Sequence, residues 1–188
     1  MKSSKYVRFR TEEDLLKSCL RSLSYSYGVY PKVSAIGGKK INPDIDILQI
    51  EKTSQNRFRL IGYEIKLMKF NKKSKGLSWN SFYSGIGQAL LYLKNGVHRA
   101  VLVLGFHENI PNDDLIEDFY DWMYRNRDVL KSILGSYISI GLYLYEGAPI
   151  SLIIEADCDF YSPNEEIRLL SEELLHGKFS YDKRLKGG

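Results

Sequence analysis

Two long extended patterns in tandem constrain this chain more than any other feature. Residues 41–50 alternate, with Ile45 and Ile47 on one side and Asp44 and Asp46 on the other. Residues 58–66 form a second β-prone run, and the polar residues 51–57 separate the two. Strands joined by so short a polar link pair as an antiparallel hairpin. The midpoint falls near position 54 or 55, which sets Asp44 or Asp46 opposite Glu64. A period of two then puts Lys66 on the same face as Glu64. Two carboxylates and one amine are expected to converge at a strand end.

The flanking segments supply the rest of a fold. Thr11 is a good N-cap with Asp14 three residues on, and Leu16, Leu20 and Leu23 share a stripe, so a helix is predicted over 12–24. Residues 29–36 are short and β-prone, and residues 37–40 (Gly-Gly-Lys-Lys) form a turn. Residues 69–78 read as a loop. Residues 79–93 read as a helix with Phe82, Ile86, Ala89, Leu90 and Leu93 apolar. Residues 99–106 carry a continuous apolar run and read as a buried strand. A single long amphipathic helix is expected over 113–134, then strands at 139–145 and 150–155. A last helix is expected to start near Pro163 and stop at Gly177. Residues 1–10 read as a basic arm and 183–188 as a frayed basic tail. The order α-β-β-β-α-β-α-β-β-α is that of an α/β protein with a mixed β-sheet flanked by helices.

Composition narrows the function classes. With 188 residues, 44% apolar and 27% charged, the chain reads as one globular domain spanning 1–188. The longest apolar run is strand-sized and the N-terminus carries no apolar signal segment, so the expectation is an intracellular protein with no membrane partner. A net charge of +4 permits a polyanionic partner. Cys19 and Cys158 lie far apart without metal spacing and read as reduced thiols. His98, His107 and His176 are scattered. There is neither a phosphate-binding Gly-Lys-Ser/Thr loop nor a nucleophile elbow.

The chemistry therefore concentrates on the hairpin. Carboxylates set opposite each other repel, and a hard divalent cation such as Mg²⁺ removes the conflict. Lys66 would add a fixed positive charge beside an attacked phosphate. Glu13 shares the stripe of Leu16 and Leu20 and should lean toward the sheet; Glu12, in line with Leu15 and Cys19, is the alternative. Gln88 and Tyr92 stand at i and i+4 on the later helix, hence on one face. Gly85 and Gly87, just before them, each lower helix stability and suggest close approach of backbone or ligand. Lys69, Lys72, Lys73 and Lys75, interleaved with Phe70, Trp79 and Phe82, are candidates to grip phosphates. Phe119, Tyr120 and Trp122 read as core, with a dimer interface as the alternative.

Pro43-Asp44, Glu64-Ile65-Lys66 and Gln88-Ala89-Leu90-Leu91-Tyr92, in this order, resemble the motifs of the PD-(D/E)xK nuclease superfamily. The Gln-x-x-x-Tyr element is similar to its RecB-like branch, and the upstream helical Glu to that of archaeal Holliday-junction resolvases. The resemblance covers about residues 11–106 and implies a restriction-endonuclease-like αβββαβ core, with residues 107–180 as elaboration. It implies a nuclease acting on DNA, branched DNA included, and a homodimer; the composition suits an archaeal virus. Asp44 or Asp46 with Glu64 would hold Mg²⁺ or Mn²⁺, and Glu13 or Glu12 would complete the metal's surroundings. Lys66 would assist the attacking water, Gln88 would orient Lys66 or a phosphate oxygen, and Tyr92 would brace its helix or touch DNA. A binding module without turnover and a dimeric scaffold are the competing readings.

Overall fold

A computed structural model describes residues 4–23, 28–36, 39–53 and 58–161. Its frame is a six-stranded sheet. In chain order the strands are β1 (Gly28–Ile36), β2 (Lys39–Lys52), β3 (Phe58–Met68), β6 (Arg99–Phe106), β7 (Ile138–Leu142) and β8 (Ser151–Ile154), and they lie side by side in that same order. β1, β2 and β3 form an antiparallel meander. β6 then pairs parallel to β3 and β7 parallel to β6, and β8 closes the far edge antiparallel. Each parallel step needs a helical crossover. These are α2 (Asn80–Lys94), and the pair α3 (Asp114–Arg125) and α4 (Arg127–Leu134). α1 (Glu12–Ser22) precedes the sheet, and the two-residue strands β4 (Phe70–Asn71) and β5 (Gly76–Leu77) make a small hairpin after β3.

The sheet is covered on both faces. α1 seats Leu15, Leu16 and Cys19 on Ile47, Ile61, Ile65, Leu67, Val101 and Val103. On the opposite face, α2 sets Ala89, Tyr92 and Leu93 against Ile45, Leu48, Leu60 and Ala100. Further along that face Phe82 of α2 and Ile116, Phe119 and Met123 of α3 meet Met68, Leu102, Leu104 and Leu142. The central strands thus read as continuous apolar runs because neither of their faces meets water. No helix among the described residues is long and apolar enough to cross a membrane.

The predicted α/β class and mixed sheet are those observed. The differences have local causes. The helix expected over 113–134 is broken at Asn126, whose side-chain amide donates to the Trp122 carbonyl at 2.8 Å and draws the backbone out of helical geometry. Residues 69–78 contain the β4–β5 hairpin, because the Asn71 side chain accepts from the Lys73 and Ser74 amides and closes a turn. Residues 4–10 are no free arm: Val7 and Phe9 donate to Leu144 and Phe106 at 2.9 and 2.8 Å, and Arg8 pairs with Asp113. Trp122, expected in the core or an interface, is 38% exposed while its neighbour Phe119 is buried. The expected last helix, the basic tail and the Gly37-Gly38 turn lie outside the described residues.

Two glycines of α2 are not equivalent. A Cβ on Gly85 would stand 2.4 Å from Leu102 Cδ1 and 3.1 Å from Lys66 Cγ, so this glycine lets α2 press onto β3 and β6. Gly87 faces open space. Gly85→Ala is expected to lower stability by roughly 1–3 kcal/mol through overpacking. Gly87→Ala should raise it by up to about 1 kcal/mol through helix propensity. Urea denaturation of both variants measures the contrast.

His98 is buried. Its Nδ1 accepts from the Leu60 amide at 3.0 Å, so the neutral ring carries its proton on Nε2, which has no partner among the described residues. Burial holds this imidazole below its ordinary value of 6.5. The unfolded chain takes up a proton below about pH 6.5 that the folded chain refuses. Stability from this residue is therefore complete above that pH and falls as the solution is acidified. Thermal melts from pH 8 to 5 are expected to show the fall, and His98→Gln, which can still accept from Leu60, should flatten it.

Candidate active site

The site arises where two strands part. β2 and β3 pair in register from Lys52↔Phe58 to Ile47↔Tyr63, and there the ladder stops. One more step would set Asp46, and not Asp44, opposite Glu64. Beyond that point the β3 amides that face β2 need other acceptors. Ile65 N–H donates to Asp46 Oδ2 at 2.9 Å, and Leu67 N–H donates to Glu12 Oε1 at 3.3 Å. A strand residue and a helix residue thus replace the missing ladder with carboxylates. Glu12 reaches that position because a capping box fixes the start of α1: Thr11 Oγ1 accepts from the Asp14 amide at 3.1 Å, and the Asp14 carboxylate accepts from the Thr11 amide at 3.1 Å.

Glu64 projects from the opposite face of β3, under α2, and is only 1% exposed. Its Oε1 lies 2.5 Å from Lys66 Nζ, two residues along the same face, yet receives no directed hydrogen bond among the described residues. Its Oε2 meets the Tyr92 hydroxyl. That hydroxyl also accepts from the Asp46 amide at 3.3 Å and donates to the Asp44 carbonyl at 2.9 Å. Tyr92 therefore ties α2 to both parting strands. Gly62 makes room for it, since a Cβ there would stand 3.0 Å from Tyr92 Cδ2.

Proton counting bears on Glu64. The Tyr92 hydroxyl has one hydrogen and two acceptors before it, the Asp44 carbonyl and Glu64. With Glu64 ionised, one acceptor goes without; with Glu64 protonated, both contacts are met. Burial likewise raises the Glu64 pKa, against the pull of Lys66 and Tyr92, and the charge of Asp46 adds to the rise. Burial works to lower Lys66, but its contact with Glu64, followed by the charges of Glu12 and Asp46, holds it above its ordinary value. The site thus sets two ammoniums, Lys66 and Lys32, against three carboxylates, of which Glu64 is closed off from water and Glu12 is exposed.

The other expected residues fall as follows. Asp44 contributes its backbone carbonyl, and its side chain is exposed. Glu13 points away from the sheet and pairs with Lys17 at 3.8 Å, so Glu12 and not Glu13 leans inward. Gln88 is half-buried on α2, and its side chain makes no hydrogen bond among the described residues. Tyr92 is wholly buried, so its ring is out of reach of a nucleic acid and only the bracing role remains to it. Lys69, Lys72, Lys73 and Lys75 are exposed on and beside the β4–β5 hairpin. Among the described residues no three His, Cys, Asp or Glu side chains gather in a metal-holding group.

Sequence reasoning missed Lys32. It sits on β1 with φ 51° and reaches Asp46 Oδ1 at 2.5 Å. A left-handed residue inside a strand leaves no periodic signal; only Pro31 beside it hints at irregular edge structure. A separate cleft of about 450 Å³ lies on the α1 face, lined by Gln49, Arg59, Tyr63 and Arg99 among others. Its two arginines already share Asp159 Oδ1, at 2.8 and 2.7 Å.

Removing the Tyr92 hydroxyl leaves the Asp46 amide without its acceptor, and the Asp44 carbonyl and Glu64 without the hydroxyl they share. Tyr92→Phe is expected to cost roughly 1–3 kcal/mol in chemical denaturation, well beyond the value of one exposed hydrogen bond.

Compared with known proteins, the chain matches no family model and no curated protein.

Proposed function

We propose that the protein is a metal-dependent nuclease that hydrolyses DNA phosphodiester bonds, built on a restriction-endonuclease-like core. The observation that carries this reading is the convergence of Asp46, Glu64 and Lys66 where β2 leaves β3.

The donor set suits a hard divalent ion, Mg²⁺ or Mn²⁺. Glu64 Oε1 is a buried carboxylate oxygen whose contact is the Lys66 ammonium at 2.5 Å, and Asp46 lies one step beyond the last β2–β3 pair, on the Glu64 side. Asp46 and Glu64 would hold the ion, with Glu12 near Lys66 completing the negative surroundings. Bound there, the ion would supply Lewis acidity and a water of lowered pKa. The protein's own part is positional. Tyr92 and the Ile65 amide fix the carboxylates. Lys66, its stem packed beside Gly85, would present an ammonium to the negative charge on the phosphoryl oxygens.

A second reading has its own support. Each oxygen of Asp46 and Glu64 already meets a donor or cation of the protein: Ile65 N–H, Lys32, Lys66 or Tyr92. A nuclease fold that binds DNA without turnover would look the same.

Incubation of a DNA panel with Mg²⁺ or Mn²⁺ separates the two. Cleavage is expected, reduced at least ~100-fold in Glu64→Gln and Asp46→Asn while their circular dichroism stays that of the parent. Cleavage that survives EDTA and Glu64→Gln overturns the proposal, and tight DNA binding with no product under any metal establishes the second reading.

A further inference from the structure

An aromatic cluster is anchored on the core by Trp79, whose ring meets the buried Phe82 and Phe119, and extends outward to the exposed Tyr83 and Trp122. Trp79, just ahead of α2, stands at ring-centroid distances of 6.2 Å from Tyr83, in a stacked arrangement, and 4.7 Å from Trp122 of α3. Tyr83 is 64% exposed and Trp122 38%. β5 ends at Leu77, two residues before Trp79, and α3 packs against β5. Lys75 comes four residues before Trp79 in the chain, and the turn that carries it with Lys72 and Lys73 is exposed, with no ion pair to a carboxylate among the described residues.

We propose that this surface binds single-stranded nucleic acid, with bases stacked on Tyr83 and Trp122 and the sugar-phosphate backbone along the Lys72–Lys73–Lys75 turn. Aromatic faces beside a basic track are how proteins hold unpaired strands with little sequence preference. The acidic residues decide against a duplex. Asp118 lies one turn before Trp122 on the outer face of α3, and Asp121 adjoins it, both exposed. A duplex carries phosphates on both edges and would press one strand onto these carboxylates. A single strand turns its bases to the rings and its phosphates to the lysines. The inference rests on the nuclease reading for its consequence. Tyr83 is two residues from Gly85 and so stands about 200° around α2 from it, on the outer face of the helix whose inner face covers the Lys66 stem. The substrate is then a strand unpaired next to the bond that is cut.

Trp79 and Trp122 are the two tryptophans of the chain, so intrinsic fluorescence reports on this surface. The full-length protein is titrated in EDTA, where cleavage plays no part, with an oligo(dT) strand and with a duplex of equal length. Saturable quenching by the single strand is expected, weakened by salt, with the duplex at least roughly tenfold weaker. Tyr83→Ala, at an exposed position, should weaken the single strand about tenfold and leave the melting temperature and duplex binding unchanged. Duplex binding as tight as single-strand binding, or a Tyr83→Ala variant with parent affinity, overturns the inference. Single-strand binding by this surface without any cleavage sustains the inference while sinking the nuclease reading. Cleavage that ignores both Tyr83→Ala and strandedness does the reverse.

Discussion

Everything distinctive here follows from an interrupted ladder. β3 is the structural centre of the sheet, paired antiparallel to β2 on one side and parallel to β6 on the other. Its pairing with β6 continues to Met68↔Phe106, but its pairing with β2 ends at Ile47↔Tyr63. The last turn of β3 is thus held on one side only. Backbone amides cannot be left bare inside a protein. The carboxylates of Asp46 and Glu12 meet that demand, and so they are drawn to one strand end by backbone accounting alone. Once they are there, negative charge has been concentrated beside Glu64 and Lys66, whose side chains issue from the same short stretch.

Tyr92 makes the arrangement a single unit. A hydroxyl that joins Glu64, the Asp44 carbonyl and the Asp46 amide couples α2 to the two strands it spans. Any movement of α2 is felt by Glu64, and any change in the charge of Glu64 is felt by β2. Glycines at 62 and 85 are the steric complement: one admits the Tyr92 ring, the other admits α2 over the stem of Lys66. These contacts are short-range and directional, unlike the apolar packing elsewhere on the same helix.

The hairpin and its register were readable from alternation and a polar gap, because period-two patterning and turn length leave little freedom. The observed pairs centre on position 55, at the edge of the expected range. The aspartate facing Glu64 was not readable, since that choice turns on one residue of register. Nor was the inward glutamate. A helical stripe identifies a buried face, but at the first turn of α1 the deciding factor is how far a side chain must reach to β3, and Glu12 is the nearer. Lys32 was invisible because its backbone leaves the strand's own geometry. The break at Asn126 was hidden by apolar periodicity that continues across it, from Phe119 and Met123 to Leu130 and Leu134.

The opposite face of the sheet offers an internal comparison. There Tyr63 donates to Gln49 at 2.5 Å, and Arg59 and Arg99 converge on Asp159. Those arginines and the Glu51 near Arg59 remain a fifth to a third exposed, so water shares in solvating them, and the network reads as ordinary structural pairing. Glu64 is different in kind: it is closed off from water and its partners are one amine and one hydroxyl. A buried ion pair adds little net stability, because desolvation offsets most of the Coulomb attraction. Apolar side chains at 64 and 66 would fill the space under α2 at least as favourably. Net stability therefore does not account for a carboxylate and an amine placed there, and they are the groups on which the proposed function rests.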